Sequence, residues 1–294
     1  MRRQTPGINS PFAVRKGQMV SETEPLDPRS RSDVSVLIPL YNEATTIALV
    51  LDRILDLGEM IHQVIVVDDG SSDGSADVVE EYCSKDERIC LIRCEKNQGK
   101  TNAIRTALQH VTGEIVIIQD ADLEYDPHEI PDVVRPIQAN KADVVYGSRF
   151  LVRKATRVLY FYHFLANRFL TFLSNLLTNR NMTDIETCYK AFYAPVITPL
   201  QLTSKGFGME VEITAMICRT KARTYEVPIS YYGRTFEEGK KIRYSDGLAA
   251  IYYILHYNLI ASRFKSRRQY VAKVNEQLEQ RRKLPHEPLS APGT

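Results

Sequence analysis

The sequence has few cysteines, little net charge and no long apolar run, and each shortage argues against a class of protein. Its five cysteines are odd in number and form no Cys-x-x-Cys pair, so neither a disulfide framework nor a zinc site is expected. The net charge of +2 argues against a general nucleic-acid binder, which normally has a strong basic excess. No stretch reaches the roughly 18 to 20 uninterrupted apolar residues that cross a bilayer. We therefore predict a cytoplasmic chain without a membrane-spanning segment.

The composition changes along the chain and divides it into four regions. A hydrophobic content of 44% over 294 residues is enough for a buried core. Residues 1–32 mix Pro, Ser, Arg and Glu without apolar periodicity, which is typical of a disordered arm. We expect a folded domain over residues 33–245, an amphipathic helix with a basic anchor over residues 246–270, and a solvated charged tail over residues 271–294.

Short β-branched runs alternate with helical stretches between Asp33 and Ser148. The runs are VSVLIP, QVIVVD, ICLIRC, EIVIIQD and ADVVYG. This alternation predicts an α/β fold of βαβ units, with a Rossmann-like, mostly parallel sheet flanked by helices. Ligands bind such sheets beyond the carboxyl ends of the strands. The carboxylates after the second and fourth runs should therefore face one crevice.

An Asp-x-Asp pattern closes the fourth run. Asp120 and Asp122 could direct two carboxylates at one hard cation and leave positions for phosphate oxygens. Glu124 could add a third oxygen. The alternative is that these aspartates only cap a helix or form a turn, as Asp-rich loops often do. The pattern becomes specific only together with other motifs.

Two apolar segments stand out in the second half of the chain. Residues 158–177 are apolar on most sides but interrupted by polar residues, and residues 248–260 are rich in tyrosine. Arginines and lysines follow the second segment at Arg263, Lys265, Arg267 and Arg268. Such segments suit amphipathic helices that lie in a membrane interface beside a basic anchor. The alternative is that they are core helices or helices of an oligomer interface.

Four motifs follow one another in a fixed order. They are Pro39 with Tyr41-Asn42-Glu43, the stretch VVDDGSSDGS, Asn97 with Gly99-Lys100, and Gly147-Ser148-Arg149. Together with the Asp-x-Asp pattern, they make residues 33–245 resemble glycosyltransferase family 2 with the GT-A fold. Within that family the sequence is similar to the polyprenyl-phosphate hexose synthases, such as dolichol-phosphate mannose and glucose synthases. The resemblance implies that residues 33–245 are the catalytic domain of a nucleotide-diphospho-sugar transferase.

The resemblance also assigns a donor site and a metal. It implies that Mg²⁺ or Mn²⁺ is held by Asp120, Asp122 and Glu124. Family members often carry Gln at the position of Glu124, so this ligand adds a charge that they lack. The implied nucleotide-sugar residues are Pro39, Tyr41, Asn42, Glu43, Asp68, Asp69, Gly99, Lys100, Asp120, Ala121, Asp122 and Glu210. For Glu210 and Lys100, the alternatives are a helix start and an exposed first-turn lysine.

The family resemblance places the transfer chemistry on a second group of residues. The implied catalytic residues are Asp184, Arg149 and Arg234, and the implied acceptor-phosphate ligands are Arg149, Lys154, Arg157, Arg234 and Lys241. A phosphate acceptor is already anionic and needs no general base, so Asp184 would orient the sugar or the acceptor. For any one of these cations the alternative is a solvated basic face.

The function implied by the resemblance is inverting transfer of a hexose to a polyprenyl (dolichyl-type) phosphate. The donor would be GDP-mannose or UDP-glucose, and the enzyme would be peripheral on the cytosolic face of a membrane. Two alternatives are a transferase with a soluble or already glycosylated acceptor, and a non-catalytic nucleotide-sugar-binding regulator. A processive polysaccharide synthase is disfavoured, because that group carries Gln-x-x-Arg-Trp and this sequence has no Trp. Self-association through the apolar helices stays open, and a nucleic-acid partner is not expected.

Overall fold

The computed structural model describes residues 34–151, 160–206, 208–233 and 244–283. The strands of this described part are β1 (Val34–Leu40), β2 (Ile61–Asp68), β3 (Ile89–Arg93), β4 (Ile115–Ile118), β5 (Val144–Ser148), β6 (Lys190–Tyr193) and β7 (Thr224–Pro228). Its α-helices are α1 (Ile47–Leu55), α2 (Ser75–Cys83), α3 (Lys100–Ala107), α4 (Ile130–Gln138), α5 (Phe161–Thr178), α6 (Ala194–Ile197), α7 (Gly208–Ile217), α8 (Tyr244–Leu255) and α9 (Lys265–Lys283).

The strands form one seven-stranded sheet in the order β3-β2-β1-β4-β6-β5-β7. All neighbouring pairs are parallel except the two made by β6, which runs antiparallel to both β4 and β5. The predicted α/β fold with a mostly parallel sheet is therefore confirmed. The strand β6 is an addition that the alternation of the first half did not indicate.

The central strands are apolar at almost every position because both faces of the sheet are covered. Leu37 of β1 packs into the hydrophobic cluster on one face, and its neighbours Val36 and Ile38 pack into the cluster on the other. Successive side chains of a strand point to opposite faces, so a strand covered on both sides needs a continuous apolar run. This is why the five runs carry no polar alternation.

Residues 271–283 were expected to form a solvated tail, and the structure corrects this, because they belong to the packed helix α9. Val274 and Leu278 are fully buried in the cluster that also contains parts of α3 and α7. Arg281 donates to the buried carboxylate of Asp143 at 3.1 Å, and its guanidinium lies 4.0 Å from the centre of the Tyr193 ring. The charges of this helix suggested solvent, but its apolar residues recur every four positions and face the core. Residues 284–294 and the predicted arm, residues 1–32, lie outside the described residues.

The two apolar segments form helices that are only partly buried. Helix α5 buries Leu170, Thr171 and Ser174, and most of its large apolar side chains are exposed. Helix α8 packs on α5 and α7, and a π-helical turn (His256–Ile260) follows it. Among the helices of the described chain, none combines the length and apolar character needed to cross a bilayer.

Candidate active site

The loop before α3 is held by a buried carboxylate at the end of β2. Asp69 accepts hydrogen bonds from the backbone N–H groups of Gln98 at 2.9 Å and Gly99 at 2.6 Å. Gly99 has a φ of +90°, a conformation that favours glycine. Its neighbour Asp68 is also buried and accepts from the backbone N–H of Ser71 at 3.1 Å. Both carboxylates thus fix loops, and Asp69 determines where α3 begins.

The first residue of α3 joins this loop to the Asp-x-Asp pattern. The Nζ atom of Lys100 lies 2.5 Å from Oδ1 of Asp120 and 3.9 Å from Oε1 of the buried Glu210. Burial lowers the pKa of Lys100, but the charges around it, above all that of Asp120, together raise the net pKa well above the ordinary value. Lys100 is therefore a permanent cation between two carboxylates. The structure brings together three of the residues that the sequence predicted.

Hydrogen bonds join the loop after β1 to the loop after β2 and to the Asp-x-Asp segment after β4. The backbone N–H of Asn42 donates to Ser71 at 3.0 Å, and Oδ1 of Asn42 accepts from the N–H of Ser72 at 2.9 Å. The hydroxyl of Thr46 donates to the carbonyl oxygen of Ala121 at 2.7 Å. These bonds place the predicted residues Asn42 and Ala121 at the same edge of the sheet.

The other predicted residues of the β1 loop lie beside these bonds. The backbone N–H of Glu43 donates to Oγ of Ser75 at 2.9 Å. Pro39 is the penultimate residue of β1, and Tyr41 is exposed at 41%. The part that these residues take in nucleotide binding stays a prediction.

The predicted metal ligands Asp122 and Glu124 both accept hydrogen bonds within the protein. Asp122 accepts from the backbone N–H of Glu124 at 3.1 Å, and Oε2 of Glu124 accepts from the hydroxyl of Tyr231 at 3.0 Å. Within the described ranges, no three His, Cys, Asp or Glu side chains converge tightly enough to hold a metal ion. The hydrogen bond from Tyr231 engages one oxygen of the Glu124 carboxylate, and the role of Glu124 as a third metal ligand stays a prediction.

Asp120 and Asp122 alone suit a metal ion that binds together with a diphosphate. Mg²⁺ in phosphate-transfer sites usually takes one or two carboxylates and completes its coordination with phosphate oxygens and water. Asp120 already has a cation against it, the ammonium group of Lys100. The residues at this edge therefore fit a hard divalent cation held by Asp120 and Asp122.

A buried ion pair lies after β5. The guanidinium of Arg149 donates to both carboxylate oxygens of Asp184, at 2.7 Å and 2.8 Å, and its backbone N–H also donates there at 3.2 Å. Asp184 is fully buried. Burial lowers the pKa of Arg149, but the charge of Asp184 raises it well above the ordinary value. Two of the three predicted catalytic residues thus form one fork-to-fork unit, with the guanidinium over the ring of Tyr231 at 5.2 Å.

A carboxylate that the sequence did not single out orients Asp184. Glu226 of β7 accepts from the backbone N–H of Thr183 at 2.9 Å and from that of Asp184 at 3.2 Å. Burial raises the pKa of Glu226. The chain order gave no signal for this contact, because 42 residues separate the two carboxylates.

Glu186 is a second residue that sequence reasoning missed, although it lies inside the segment that contains Asp184. Its Oε1 atom is buried and has no hydrogen-bond partner among the described residues. Burial, followed by the negative charge of Glu210, raises the pKa of Glu186 from 4.5 to about 8. At neutral pH this carboxyl is mostly protonated and can donate a hydrogen bond.

Four of the predicted cationic residues cannot be placed. Lys154, Arg157, Arg234 and Lys241 lie outside the described residues. Their assignment to the acceptor phosphate stays a prediction, as does the catalytic role of Arg234.

Comparison with known proteins identifies the family. The model of glycosyl transferase family 2 matches residues 35–197. An undecaprenyl-phosphate 4-deoxy-4-formamido-L-arabinose transferase of Edwardsiella ictaluri is 29% identical over 212 residues, which are 70% of this chain and 62% of the relative. The corresponding transferase of Photorhabdus laumondii is 30% identical over 213 residues, with the same coverage. The chain thus spans 62% of the length of these curated relatives.

Solved structures support the fold. Glucosyl-3-phosphoglycerate synthase of Mycobacterium tuberculosis, in complex with Mn²⁺, uridine diphosphate and phosphoglyceric acid, superposes with a TM-score of 0.60 at 19% identity. The superposition covers 78% of this chain and 79% of that one. The same enzyme with Mg²⁺ and uridine diphosphate gives a TM-score of 0.60 at 20% identity, covering 77% and 79%. Because the family model matches more than half of the residues, the chain belongs to glycosyltransferase family 2.

Proposed function

We propose that the chain is an inverting, metal-dependent glycosyltransferase that moves a sugar from a nucleoside diphosphate to a polyprenyl phosphate at a membrane surface. The observation that carries this proposal is the cluster at the carboxyl edge of the sheet. There, Lys100 lies against Asp120 beyond β4, Asp69 beyond β2 holds the loop before Lys100, and the Arg149–Asp184 pair follows β5. The named activity of the curated relatives, transfer to undecaprenyl phosphate, supports the choice of acceptor.

On the donor side, the aspartates and Lys100 would act on the diphosphate. Asp120 and Asp122 would hold Mg²⁺ or Mn²⁺, which when bound neutralises the charge that grows on the leaving diphosphate. Lys100 adds a fixed positive charge at the same place, because its pKa stays well above neutrality. Asp69 contributes by holding the loop that delivers Lys100. Pre-positioned charges of this kind stabilise a transition state without reorganising solvent.

On the acceptor side, the anionic phosphate can attack the anomeric carbon directly and invert its configuration. A general base is unnecessary, so the Arg149–Asp184 pair would position the acceptor and the sugar. Arginine suits this role because its planar fork can hold a carboxylate while its remaining donor meets a phosphate. Glu186, protonated at neutral pH, could donate to a sugar hydroxyl.

Exposed apolar side chains on α5, α8 and the turns after α8 support a membrane location. Such a contiguous patch on a globular surface normally marks an interaction site. Basic residues at Arg263, Lys265 and Arg268 are exposed beside it, which suits an anionic membrane surface. The exposed members are Phe161, Tyr162, Phe164, Leu165, Phe169, Phe172, Leu176, Leu248, Tyr252, Leu255, Leu259, Ile260 and Phe264.

A donor and acceptor panel tests the proposed reaction. Radiolabelled GDP-mannose, UDP-glucose and UDP-4-deoxy-4-formamido-L-arabinose are each incubated with polyprenyl phosphate, and label entering the organic phase is counted. Polyprenol without the phosphate is the matched control acceptor. We expect label from one donor to enter the lipid only when the phosphate is present. Transfer to a water-soluble acceptor with none to the lipid would favour the alternative acceptor class. Donor binding without any transfer would favour the regulator.

A further inference from the structure

A basic cavity lies at the junction of α8 and α9. Its volume is about 680 Å³, within the range of small-molecule sites. Among the described residues that line it, none is Asp or Glu. Its polar wall consists of Arg219, Asn258, Arg263, Arg267, Arg268 and Asn275. None of these residues takes part in the cluster at the carboxyl edge of the sheet.

The local backbone explains why these side chains converge. The helix α8 ends in the π-helical turn His256–Ile260, and a short 3₁₀ turn leads into α9. The carbonyl oxygen of Asn258, in the π-helical turn, accepts a hydrogen bond from Arg219 of the segment after α7. Arg267 and Arg268 lie in the first turn of α9, where the helix dipole adds positive potential. Wide turns of the π type occur frequently at functional sites.

The hydrogen bonding of Arg267, in the wall of the cavity, is an observation independent of the cavity's volume and lining. It is 94% buried, since its exposed fraction is 6%. Its Nη2 donates to Glu212 and, at 2.9 Å, to the hydroxyl of Thr203, while its Nη1 is buried without a hydrogen-bond partner among the described residues. A buried donor of a charged group without an acceptor is costly and uncommon. One nitrogen of this guanidinium, Nη1, therefore still lacks an acceptor, although the group as a whole is paired with Glu212.

We propose that this cavity binds a phosphate-bearing anion. Guanidinium groups present planar sets of donors that match phosphate oxygens, and four of them line one cavity without an acidic neighbour in its wall. The phosphate could belong to a lipid headgroup, because the exposed Ile260 and Phe264 lie beside the cavity residues in the chain. It could also be free in solution. This is a specific site of convergent side chains, in contrast to nonspecific attraction by a basic surface. It does not depend on the transfer reaction.

Two double variants, each of which removes two positive charges, distinguish binding in the cavity from nonspecific electrostatic attraction. Arg263→Gln with Arg268→Gln removes two exposed arginines that line the cavity. Lys273→Gln with Lys283→Gln removes two exposed lysines of α9 that do not line it. The full-length protein is studied in EDTA, so that divalent metal does not recruit phosphate to the carboxyl edge. One arm titrates inorganic phosphate and follows the melting temperature. The other measures sedimentation with phosphatidylcholine vesicles that contain or lack phosphatidylglycerol.

The arginine pair should weaken binding at least about tenfold in one or both arms, as expected for lost hydrogen bonds to a charged group. The lysine pair should retain most of the binding. Loss in the vesicle arm alone identifies a headgroup, and loss in the phosphate arm alone identifies a free phosphate. Binding in neither arm, or an equal loss in both double variants, would overturn the proposal. Melting of the ligand-free variants shows whether each is folded, and sugar transfer measured in parallel reports on the reaction separately.

Discussion

Asp69 holds Gly99 by a 2.6 Å hydrogen bond from the backbone N–H of the glycine, and thereby sets the position of Lys100 one residue later. Asp69 accepts a second hydrogen bond from the backbone N–H of Gln98 in the same loop. Lys100 in turn lies against Asp120. A carboxylate at the end of β2 therefore controls a cation that faces the end of β4, and this coupling is the basis of the first prediction.

Asp69→Asn should impair transfer although its side chain has almost the same volume. The amide presents one acceptor oxygen where the carboxylate offers two, so one backbone N–H of the loop loses its partner. We expect kcat/KM to fall about 10²-fold, the loss typical of a misplaced catalytic group. The measurement is steady-state transfer at varied donor concentration. Asp77→Asn, an exposed substitution at the start of α2, is the control, and an equal rate for Asp69→Asn and the control would refute the proposed coupling.

Removing Arg149 should cost both stability and activity. Arg149→Met leaves the fully buried Asp184 without its partner, which typically destabilises by about 3 to 5 kcal/mol. The double variant Arg149→Met with Asp184→Asn should regain part of that stability, because no charge is left unpaired. It should regain no transfer activity. Urea unfolding and transfer assays on the same three proteins separate the two effects, and recovery of activity in the double variant would exclude a positioning role.

Glu186 should make stability depend on pH. Its pKa is raised from 4.5 to about 8 on folding, mainly by burial and by Glu210, while Lys190 and Arg149 oppose the shift. Between these two values the folded chain holds a proton that the unfolded chain has lost, so stability falls as pH rises from about 5 to about 8. The slope for one group is at most about 1.4 kcal/mol per pH unit. Glu186→Gln should flatten the melting temperature over this range, and identical profiles for both proteins would contradict the assignment.

Asp143 should hold α9 on the sheet. Its buried carboxylate accepts from Arg223 at 2.8 Å, from Arg281 at 3.1 Å and from Arg282 at 3.4 Å. Asp143→Ala should cost about 2 to 4 kcal/mol, less than a wholly buried pair because two of the arginines are partly exposed. Hydrogen exchange should accelerate along α9 first. The partly exposed substitution Asp132→Ala should change stability by less than about 0.5 kcal/mol, and equal protection of α9 in both variants would be inconsistent with this role.

The first half of the fold was accessible from sequence because its signals are local. Each apolar run from Val34 to Ser148 became a strand, since a strand covered on both faces must be apolar throughout. The strand β6 has only four residues, and its place between β4 and β5 depends on pairing with partners far away in the chain. Helix α9 was missed because its charges are satisfied by tertiary partners such as Asp143, which composition alone does not show.

In the candidate site too, residues with local signals could be predicted from the sequence, and residues that depend on distant partners could not. Asp69, Lys100 and Asp120 could be predicted because their motifs lie at strand ends, where a parallel sheet gathers its loops. The sequence could not show that Tyr231, 107 residues away, donates to the carboxylate of Glu124, and the ligand role of Glu124 stays a prediction. Glu186 gave no signal at all, since its importance comes from burial beside other carboxylates.

The dependence of transfer on a divalent ion tests the central claim most directly. Label entering the organic phase is counted for the untreated enzyme, after EDTA, and after Mn²⁺ is restored, alongside Asp120→Asn and Asp122→Asn. We expect EDTA to abolish transfer, Mn²⁺ to restore it, and each variant to lose at least about 10²-fold, consistent with a lost transition-state electrostatic interaction. Undiminished transfer in EDTA, or full activity of both variants, would contradict the central claim.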